Sequence, residues 1–321
     1  MASATPKEIA RELPPLLRVY TDGSVERFLG SPFVPPTLED PETLVSSKDV
    51  VISENPSISA RVFLPKVDHQ KKKLPILVYF HGGAFCLESA FSFLHHRYLN
   101  IIASEAKALV VSVEYRVAPE HPLPAAYEDS WEALKWVTSH SRNERKDGEA
   151  WLIDHGEFTR FYVGGDTSGA NIAHNVCLRV GGEALGGVRI AGAVLAFPLF
   201  WGSEPVLSEP VEGHEESSPM RVWKFVYPDA PRGIDNPLIN PLAPGAPSLA
   251  TLGSRKLLIF VAGKDDLRER GVWYYDAVKE SGWQGDVELV RVEGEEHCFQ
   301  IYHPQTHNSK GVISRIASFL V

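Results

Sequence analysis

The sequence predicts an α/β fold with a mostly parallel central sheet and helices on both faces. Two observations indicate this. Six apolar runs are short enough to be buried strands: 74–80, 108–115, 159–165, 190–198, 256–263 and 287–292. Helical periodicity is found between and after them, at 89–106, 125–140, 169–180, 266–281 and 306–320. Buried strands that alternate with helices are typical of a parallel sheet covered on both sides.

The N-terminal part carries different signals. Residues 6–13 have helical spacing and end at two prolines, which predicts a short helix. Asp22-Gly23 lies between two short strand-like segments and predicts a hairpin. Residues 58–65 predict another strand. We therefore expect an antiparallel edge that leads into the parallel sheet.

The segment 200–247 is rich in proline and interrupts the alternation of strands and helices. We expect one domain over residues 1–321, with a small cap formed by about residues 1–30 and 200–247. Such a cap would cover the carboxyl ends of the strands, where open α/β sheets bind their ligands.

Composition excludes several classes of protein. Among 321 residues, 32 Lys and Arg face 41 Asp and Glu, and the net charge of −9 argues against nucleic-acid binding. The 3 cysteines are too few and too scattered for a disulfide framework or a zinc site, and no phosphate-binding loop is present. We expect no metal and no cofactor. No apolar run reaches a membrane-spanning length and the first 18 residues lack an apolar signal core, so we expect a cytoplasmic protein without membrane insertion.

The segment Gly165-Asp-Thr-Ser-Gly169 lies between a predicted strand and a predicted helix. This context suits a nucleophile elbow, in which a sharp turn raises one hydroxyl above the sheet. Thr167 occupies the central position, because placing Ser168 there would remove both flanking glycines. The pentapeptide alone also fits an ordinary glycine-rich turn.

Three further elements complete a catalytic arrangement. Gly82 and Gly83 follow the first buried run, and their N–H groups, with that of Ser168, predict an oxyanion hole. Asp265 and His297 follow the fifth and sixth runs, in the order nucleophile, acid, histidine. A tight turn and solvated loop residues would explain each element separately, but their common order favours a catalytic triad.

Other candidates are weaker. His81, Phe85 and Cys86 lie beside the predicted oxyanion loop and are candidate substrate contacts, with Leu87 and the segment 201–223 as further candidate pocket walls. His95 and His96 are neighbours on a helix and cannot both face one ligand. His214 is interpreted as a solvated residue near a turn.

Longer motifs carry a resemblance that runs from about residue 13 to residue 321. They are His81-Gly-Gly, Glu114-Tyr-Arg-Val-Ala-Pro-Glu120, Pro124-Ala-Ala-Tyr-Glu-Asp129 and Asn171 after the elbow. With these motifs the chain resembles the plant carboxylesterases, which are related to hormone-sensitive lipase. The resemblance implies an α/β-hydrolase fold, the triad Thr167, Asp265 and His297, and the oxyanion donors Gly82, Gly83 and Ser168.

One branch of that family has threonine at the elbow, and the chain resembles it over four segments: 81–86, 165–174, 211–215 and 233–237. The resemblance implies dehydration of a small-molecule isoflavanone substrate, a 2-hydroxyisoflavanone, to an isoflavone, with weak carboxylesterase activity and no cofactor. The β-methyl group of Thr167 supports this interpretation, because it crowds the hydroxyl and weakens it as a nucleophile.

Several alternatives stay open at this point. A general carboxylesterase could use Thr167 as a slow nucleophile, and Thr167 could form a transient covalent adduct even in a dehydration. A ligand-binding receptor of the same family would have lost the histidine that is present here as His297. An alkaloid cyclase fits the elbow less well. The 4′-substituent of the substrate and the oligomeric state are not readable from the sequence.

Overall fold

The fold is described here from a computed structural model that covers residues 7–66, 73–142 and 148–321. Within those residues the chain forms these strands: β1 Ile9–Leu13, β2 Leu17–Tyr20, β3 Val25–Arg27, β4 Val45–Glu54, β5 Ser57–Pro65, β6 Leu74–Phe80, β7 Leu109–Glu114, β8 Gly156–Asp166, β9 Ile190–Ala196, β10 Lys256–Ala262 and β11 Asp286–Val292. It also forms these helices: α1 Phe93–Ala106, α2 Ala125–Ser139, α3 Ala150–His155, α4 Ser168–Gly182, α5 Ser218–Val226, α6 Arg268–Glu280, α7 Phe299–Tyr302 and α8 His307–Phe319.

The central sheet has the order β11-β10-β9-β8-β6-β7-β5-β4. The six strands from β6 to β11 are parallel, and β5 and β4 add an antiparallel edge. All six predicted buried strands are present, so the predicted α/β class with its mostly parallel sheet is confirmed. Because the strands are parallel, the loops that follow β6, β8, β10 and β11 reach the same edge of the sheet.

Helices cover both faces, as predicted. Alternate residues of β6 enter different cores: Ile76, Val78 and Phe80 pack with residues of α2, α4 and α6 on one face. Leu77 and Tyr79 pack on the other face with residues of α1 and α8. Every residue of β6 is buried, which is why the strand reads as a continuous apolar run rather than an alternating one.

The prediction of a helix over residues 6–13 is wrong for the residues that the structure describes. Ile9–Leu13 forms β1, which pairs antiparallel with β2, and β3 completes a separate three-stranded sheet. The backbone of this short segment forms hydrogen bonds with β2, and Leu13 is buried against the core. Strand pairing therefore overrides a weak local helical pattern. The predicted hairpin around Asp22-Gly23 is confirmed as β2 and β3.

Several elements differ from the prediction, and two of them have a clear physical cause. The strand β4 has no counterpart in the sequence prediction, because it is an edge strand with many polar residues. Helix α1 begins at Phe93 rather than at residue 89. The Glu114 carboxylate accepts hydrogen bonds from the Ser89 hydroxyl and the Ala90 amide, and these bonds keep the preceding turn out of the helix.

The proline-rich segment 200–247 contains α5 and several short turns. It is attached to the body of the protein by a buried ion pair, in which Arg270 of α6 contacts Glu209 at 2.7 Å. It also meets the N-terminal sheet: Arg221 of α5 donates to the Pro14 carbonyl at 2.8 Å, and Arg11 of β1 lies over the ring of Phe225. The two segments expected to form a cap are therefore in contact.

Among the residues covered by the structure, no helix combines the length and the apolar character that crossing a membrane requires. In the same part of the chain, no group of three or more His, Cys, Asp or Glu side chains is arranged to hold a metal ion.

Candidate active site

The elbow between β8 and α4 places Thr167 in a strained conformation, with φ 53° and ψ −114°. Positive φ is a genuine outlier for a β-branched residue, so the surrounding structure must hold it there. The Thr167 amide donates to the Ala196 carbonyl, and the Leu199 amide donates to the Thr167 carbonyl, each at 3.0 Å. The strain is thus maintained by hydrogen bonds to the neighbouring strand β9 and the loop that follows it.

The glycines on either side of the elbow are required by close approach. A Cβ atom on Gly165 would lie 2.3 Å from the Gly169 carbonyl carbon, and one on Gly169 would lie 1.9 Å from the Phe80 carbonyl oxygen. Neither position has space for a side chain. This supports the interpretation of the pentapeptide as an elbow with Thr167 at its centre.

Thr167, His297 and Asp265 come together as predicted from their order in the chain. The Thr167 Oγ1 atom lies 2.7 Å from His297 Nε2, and His297 Nδ1 lies 2.7 Å from Asp265 Oδ2. Because an ionised carboxylate only accepts hydrogen bonds, Nδ1 carries a hydrogen, and whenever Nε2 is unprotonated it accepts a hydrogen bond from the Thr167 hydroxyl. The geometry is that of a nucleophile, base and orienting acid.

The environment of His297 changes its proton affinity. Burial alone would lower the pKa of His297, but the adjacent Cys298 sulfur and the Asp265 carboxylate outweigh it and raise the pKa well above the usual value. Burial raises the pKa of the Cys298 thiol, so this sulfur is neutral near pH 7 and we attribute the raised pKa of His297 to Asp265. The imidazole keeps 34% of its side-chain surface exposed, whereas Asp265 keeps 3%.

The loop after β6 differs from the prediction at one donor. The Gly82 amide donates to Asp166 Oδ1 at 3.1 Å, so it is engaged inside the protein and is not free to bind a substrate oxygen. Within the described part of the chain, the N–H groups of Gly83, Ala84 and Ser168 donate to no protein acceptor. The structure therefore leaves the amides of Gly83, Ala84 and Ser168 available as oxyanion donors, and corrects the predicted set by replacing Gly82 with Ala84.

A buried polar network lies beneath this loop, and sequence reasoning missed it. Asp166 accepts from the Tyr79 hydroxyl at 2.8 Å, and His95 Nε2 lies 3.3 Å from the same Asp166 oxygen. His95 Nδ1 lies 3.4 Å from Glu88 Oε2. The sequence offers one signal for this network: Asp166 directly follows the buried run 159–165, and a buried carboxylate needs hydrogen-bond partners.

Cys298 was also missed as part of the site. Its Sγ atom lies 3.1 Å from Thr167 Oγ1, and the residue is buried with φ 53°. When the Thr167 hydroxyl donates to His297, the thiol is placed to donate to the free lone pairs of the same oxygen. The hydroxyl is therefore held from two sides.

The three side chains beside the oxyanion loop that were predicted to contact the substrate are buried inside the protein. His81, Phe85 and Cys86 are fully buried with 0% exposure. His81 stacks on Tyr115 with ring centroids 4.2 Å apart. Phe85 packs against Trp223 with ring centroids 6.4 Å apart. Their burial contradicts the prediction that these side chains contact the substrate: they belong to the core that supports the loop.

The interpretation of His214 as a solvated residue is wrong. Its ring is buried, stacks on Trp201 with centroids 5.0 Å apart, and donates from Nε2 to the Gly202 carbonyl at 2.9 Å. His95 and His96 do face different partners, as expected for neighbours on a helix. His96 Nδ1 lies 3.2 Å from Arg61 Nη1, away from the triad.

Two cavities lie near these elements. One of about 340 Å³ lies between the Asp265 loop and the segment 200–247, with Trp201 and His214 in its wall. A wider groove of about 820 Å³ runs between the N-terminal segment 27–33 and the end of β7, with Glu88 in its wall. Thr167 itself is half-buried.

Comparison with known proteins identifies the family of the chain. Residues 77–301 match a family described as the alpha/beta hydrolase fold, and this range contains Gly83, the elbow and both Asp265 and His297. The chain belongs to the α/β-hydrolase family. The α/β-hydrolase fold predicted from the sequence is thereby confirmed.

Individual relatives of this α/β hydrolase cover almost all of it. It is 77% identical to a 2-hydroxyisoflavanone dehydratase of Glycyrrhiza echinata, over 100% of this chain and 98% of the relative. It is 59% identical to a 2-hydroxyisoflavanone dehydratase of Glycine max, over 98% of this chain and 99% of the relative. Among solved structures, an esterase of Pyrobaculum calidifontis matches with a TM-score of 0.69 and 28% identity, over 85% of this chain and 84% of that one.

Proposed function

We propose that this α/β hydrolase is a dehydratase that converts 2-hydroxyisoflavanones to isoflavones. The observation that carries the proposal is a complete hydrogen-bonded series from Thr167 through His297 to Asp265, with a hindered alcohol in place of a better nucleophile. Full-length identity of 77% to a protein with that activity in its name supports the choice of substrate. No cofactor is needed, because the reaction is a loss of water without a change of oxidation state.

The first step is removal of a proton beside a ketone. In a 2-hydroxyisoflavanone, the C3 hydrogen is α to the C4 carbonyl and the hydroxyl at C2 is β to it. His297 takes the C3 proton on Nε2, a contribution that general bases supply at roughly 10²–10⁴-fold. Asp265 orients the ring and stabilises the imidazolium that forms.

The second requirement is stabilisation of the enolate. As the C3–H bond breaks, negative charge develops on the C4 oxygen, and preformed amide donors bind it better than they bind the ketone. We assign this role to the N–H groups of Gly83, Ala84 and Ser168. Each such donor is worth on the order of 10²–10³ in rate in known oxyanion holes.

The third requirement is departure of the C2 hydroxyl as water. Thr167 Oγ1 lies 2.7 Å from His297 Nε2, so the proton taken from C3 can pass through the Thr167 hydroxyl to the leaving oxygen. The C2–O bond breaks, the C2=C3 double bond forms, and one water leaves with that proton. Thr167 then ends the cycle unchanged. A transient covalent adduct on Thr167 is the alternative role for the same hydroxyl.

The experiment that tests the proposal compares purified wild-type protein and a His297→Ala variant on a 2-hydroxyisoflavanone, with the isoflavone product quantified by liquid chromatography. Wild-type protein should accelerate dehydration far above the spontaneous rate, and His297→Ala should lose most of that acceleration. Wild-type protein that leaves the substrate to its spontaneous decay would contradict the proposed activity. A His297→Ala variant at full rate would contradict the assigned base.

Carboxylesterase activity is the second candidate function, because the triad is within hydrogen-bond distance throughout and an esterase of 28% identity shares the fold. Hydrolysis of a p-nitrophenyl ester beside the dehydration assay separates the two functions. We expect slow hydrolysis and faster dehydration. The proposal takes a small isoflavanone as the only partner, without nucleic acid or membrane insertion, and a cytoplasmic location.

A further inference from the structure

The polar network beneath the oxyanion loop has a definite arrangement. His95 of α1 lies between two carboxylates, with Nε2 3.3 Å from Asp166 Oδ1 and Nδ1 3.4 Å from Glu88 Oε2. The side chains of His95, Asp166 and Glu88 are 3%, 4% and 11% exposed. We call these three residues the loop brace. Water screens the contacts within it poorly, so the charge state of the brace matters.

His95 Nε2 faces Asp166 and Nδ1 faces Glu88, so the ring donates to both carboxylates only when both nitrogens carry hydrogen. The Gly82 amide also lies 3.3 Å from Nε2, and when Nε2 carries hydrogen this amide donates to Asp166 instead, at 3.1 Å. Burial alone would lower the pKa of His95, but the Asp166 and Glu88 carboxylates outweigh it and raise the pKa to about 9. The imidazole of His81 lies beside that of His95, with ring centroids 5.6 Å apart, and burial lowers the pKa of His81 to about 4. His95 is therefore the cation of the site near neutral pH, and His81 is neutral.

The brace connects the two ends of one loop. At the start of the loop, the Gly82 amide donates to Asp166. At its end, Glu88 accepts from the Ser31 amide at 2.7 Å and from the Ser31 hydroxyl at 3.0 Å. Asp166 also directly precedes Thr167 in the chain. The brace thus ties the loop start, the loop end and the elbow to one imidazolium.

The loop requires such support because its backbone is strained. Positive φ occurs at four of its residues: Gly83 at 110°, Ala84 at 55°, Phe85 at 59° and Glu88 at 60°. Non-glycine residues with positive φ cost on the order of 1–3 kcal/mol each, so the loop keeps this shape only while its surroundings hold it. The amides of Gly83 and Ala84, which we assign to the enolate oxygen, lie inside this strained stretch.

We propose that His95 is a positioning residue for the reaction: its imidazolium holds Asp166 and Glu88 together and so fixes the oxyanion loop against the elbow. Its hydrogen-bond partners are Asp166, Glu88 and the Gly82 amide, so we assign it an indirect role through the loop and the elbow. Its effect on dehydration rests on the proposed function, whereas its effect on the loop does not. Misplacing a catalytic group by about 1 Å can cost roughly 10² in rate, which sets the size of the expected effect.

The test uses full-length protein and three single variants. His95→Gln removes the cation, and Glu88→Gln removes one of its carboxylates but leaves an acceptor oxygen. His96→Gln is the matched control, because His96 is the next residue on the same helix and is also buried, but contacts Arg61 instead. Kinetics are measured with a 2-hydroxyisoflavanone and with a p-nitrophenyl ester, and amide hydrogen exchange is followed over residues 82–88.

We expect His95→Gln to lower kcat on both substrates by about 10²-fold with KM changed less than about threefold, since the ground state does not use the oxyanion amides fully. Glu88→Gln should lower kcat less. Both variants should exchange the loop amides faster than wild type. His96→Gln should keep wild-type kcat and loop exchange, even if its unfolding temperature falls.

Equal kcat for His95→Gln and His96→Gln, or loop exchange unchanged in His95→Gln, would overturn the positioning role. If His95→Gln does not fold, the milder Glu88→Gln decides by the same two measurements. Wild-type protein without dehydratase activity would contradict the proposed function. In that case the ester kinetics and the amide exchange of the loop would still test the positioning role of His95.

Discussion

At the scale of single residues, Thr167 carries the main chemical difference from a serine esterase. Its hydroxyl has the partners of a nucleophile, since His297 and Cys298 both contact the oxygen. Its methyl group lies on the same Cβ and restricts both the rotation of the side chain and the approach of an acyl carbon. This crowding is the reason that we propose hydrogen bonding and proton relay, rather than acyl transfer, as the role of Thr167.

This difference is testable by Thr167→Ser. Removing the methyl group should raise turnover of a p-nitrophenyl ester by tenfold or more, on the order of 1.4 kcal/mol of barrier, because the acyl carbon can approach the hydroxyl. Dehydration should change much less, since the hydroxyl and its contacts remain. Ester hydrolysis and isoflavone formation are measured on the same preparations, with Thr167→Ala as the variant that lacks the hydroxyl. Unchanged esterase turnover in Thr167→Ser would show that the methyl group does not limit acylation.

The pH dependence of dehydration follows from His297. The ring acts as a base only when Nε2 is unprotonated, and Asp265 raises the pKa of His297, so the rate should fall with decreasing pH from a midpoint above the usual histidine value. Asp265→Asn removes the carboxylate. It should move this acidic limb to lower pH and reduce the plateau rate by about 10²-fold or more.

The control for this measurement is Asp266→Asn, because Asp266 is the next residue and is exposed. It should keep both the midpoint and the plateau of wild type. If Asp265→Asn keeps the wild-type midpoint, the carboxylate is not what sets the proton affinity of the base.

Much of the triad could be predicted from the sequence, whereas the residues that support it could not. Thr167, Asp265 and His297 each follow an apolar run, and parallel strands bring such positions to one edge. His95 and Cys298 give no such signal, because their roles depend on burial and on partners far away in the chain. The donor assignment failed at Gly82 for the same reason: only the folded backbone shows that its amide points to Asp166.

At the scale of elements, the local sequence pattern predicted the strands that are buried along their whole length. It failed for strands whose formation depends on pairing with a neighbouring strand. Strand β6 is buried along its whole length and was predicted with its observed bounds. Strand β1 is mostly exposed and paired only on one side, so its helical spacing was misleading. Edge strand β4 was missed because more than half of its residues are polar or charged, so it gives no long apolar run.

The attachment of the segment 200–247 gives a prediction at this scale. Arg270 and Glu209 are 1% and 2% exposed, and Arg270 also donates to the Glu204 carbonyl. Arg270→Met should leave the Glu209 carboxylate buried without its cation and destabilise the fold by about 3–5 kcal/mol. Thermal and denaturant unfolding measure this loss.

The matched comparison is Lys135→Met, which breaks the exposed ion pair with Glu132 on α2. Pairs of that kind contribute about 0–1 kcal/mol, so its unfolding should stay close to wild type. Equal stability of the two variants would mean that the buried pair does not hold the segment in place.

At the scale of the whole molecule, the apolar cores that stabilise the fold and the groups of the candidate active site lie at different places on the sheet. Two apolar cores lie on its two faces, while the catalytic groups lie on loops at one edge. The N-terminal sheet and the segment 200–247 contact each other through Arg221 and Pro14. This arrangement was predictable in outline from the alternation of runs and helices, but the contact between two segments about 200 residues apart was not.

The crowded elbow has an evolutionary consequence. Gly165 and Gly169 have no space for a methyl group, and the side chains of Asp166 and Ser168 are buried. Position 167 alone in the pentapeptide presents a side chain that can vary without rebuilding the turn. Serine and threonine codons differ by a single nucleotide, so one mutational step at this position would change the proposed balance between ester hydrolysis and elimination while the other residues of the site stay the same.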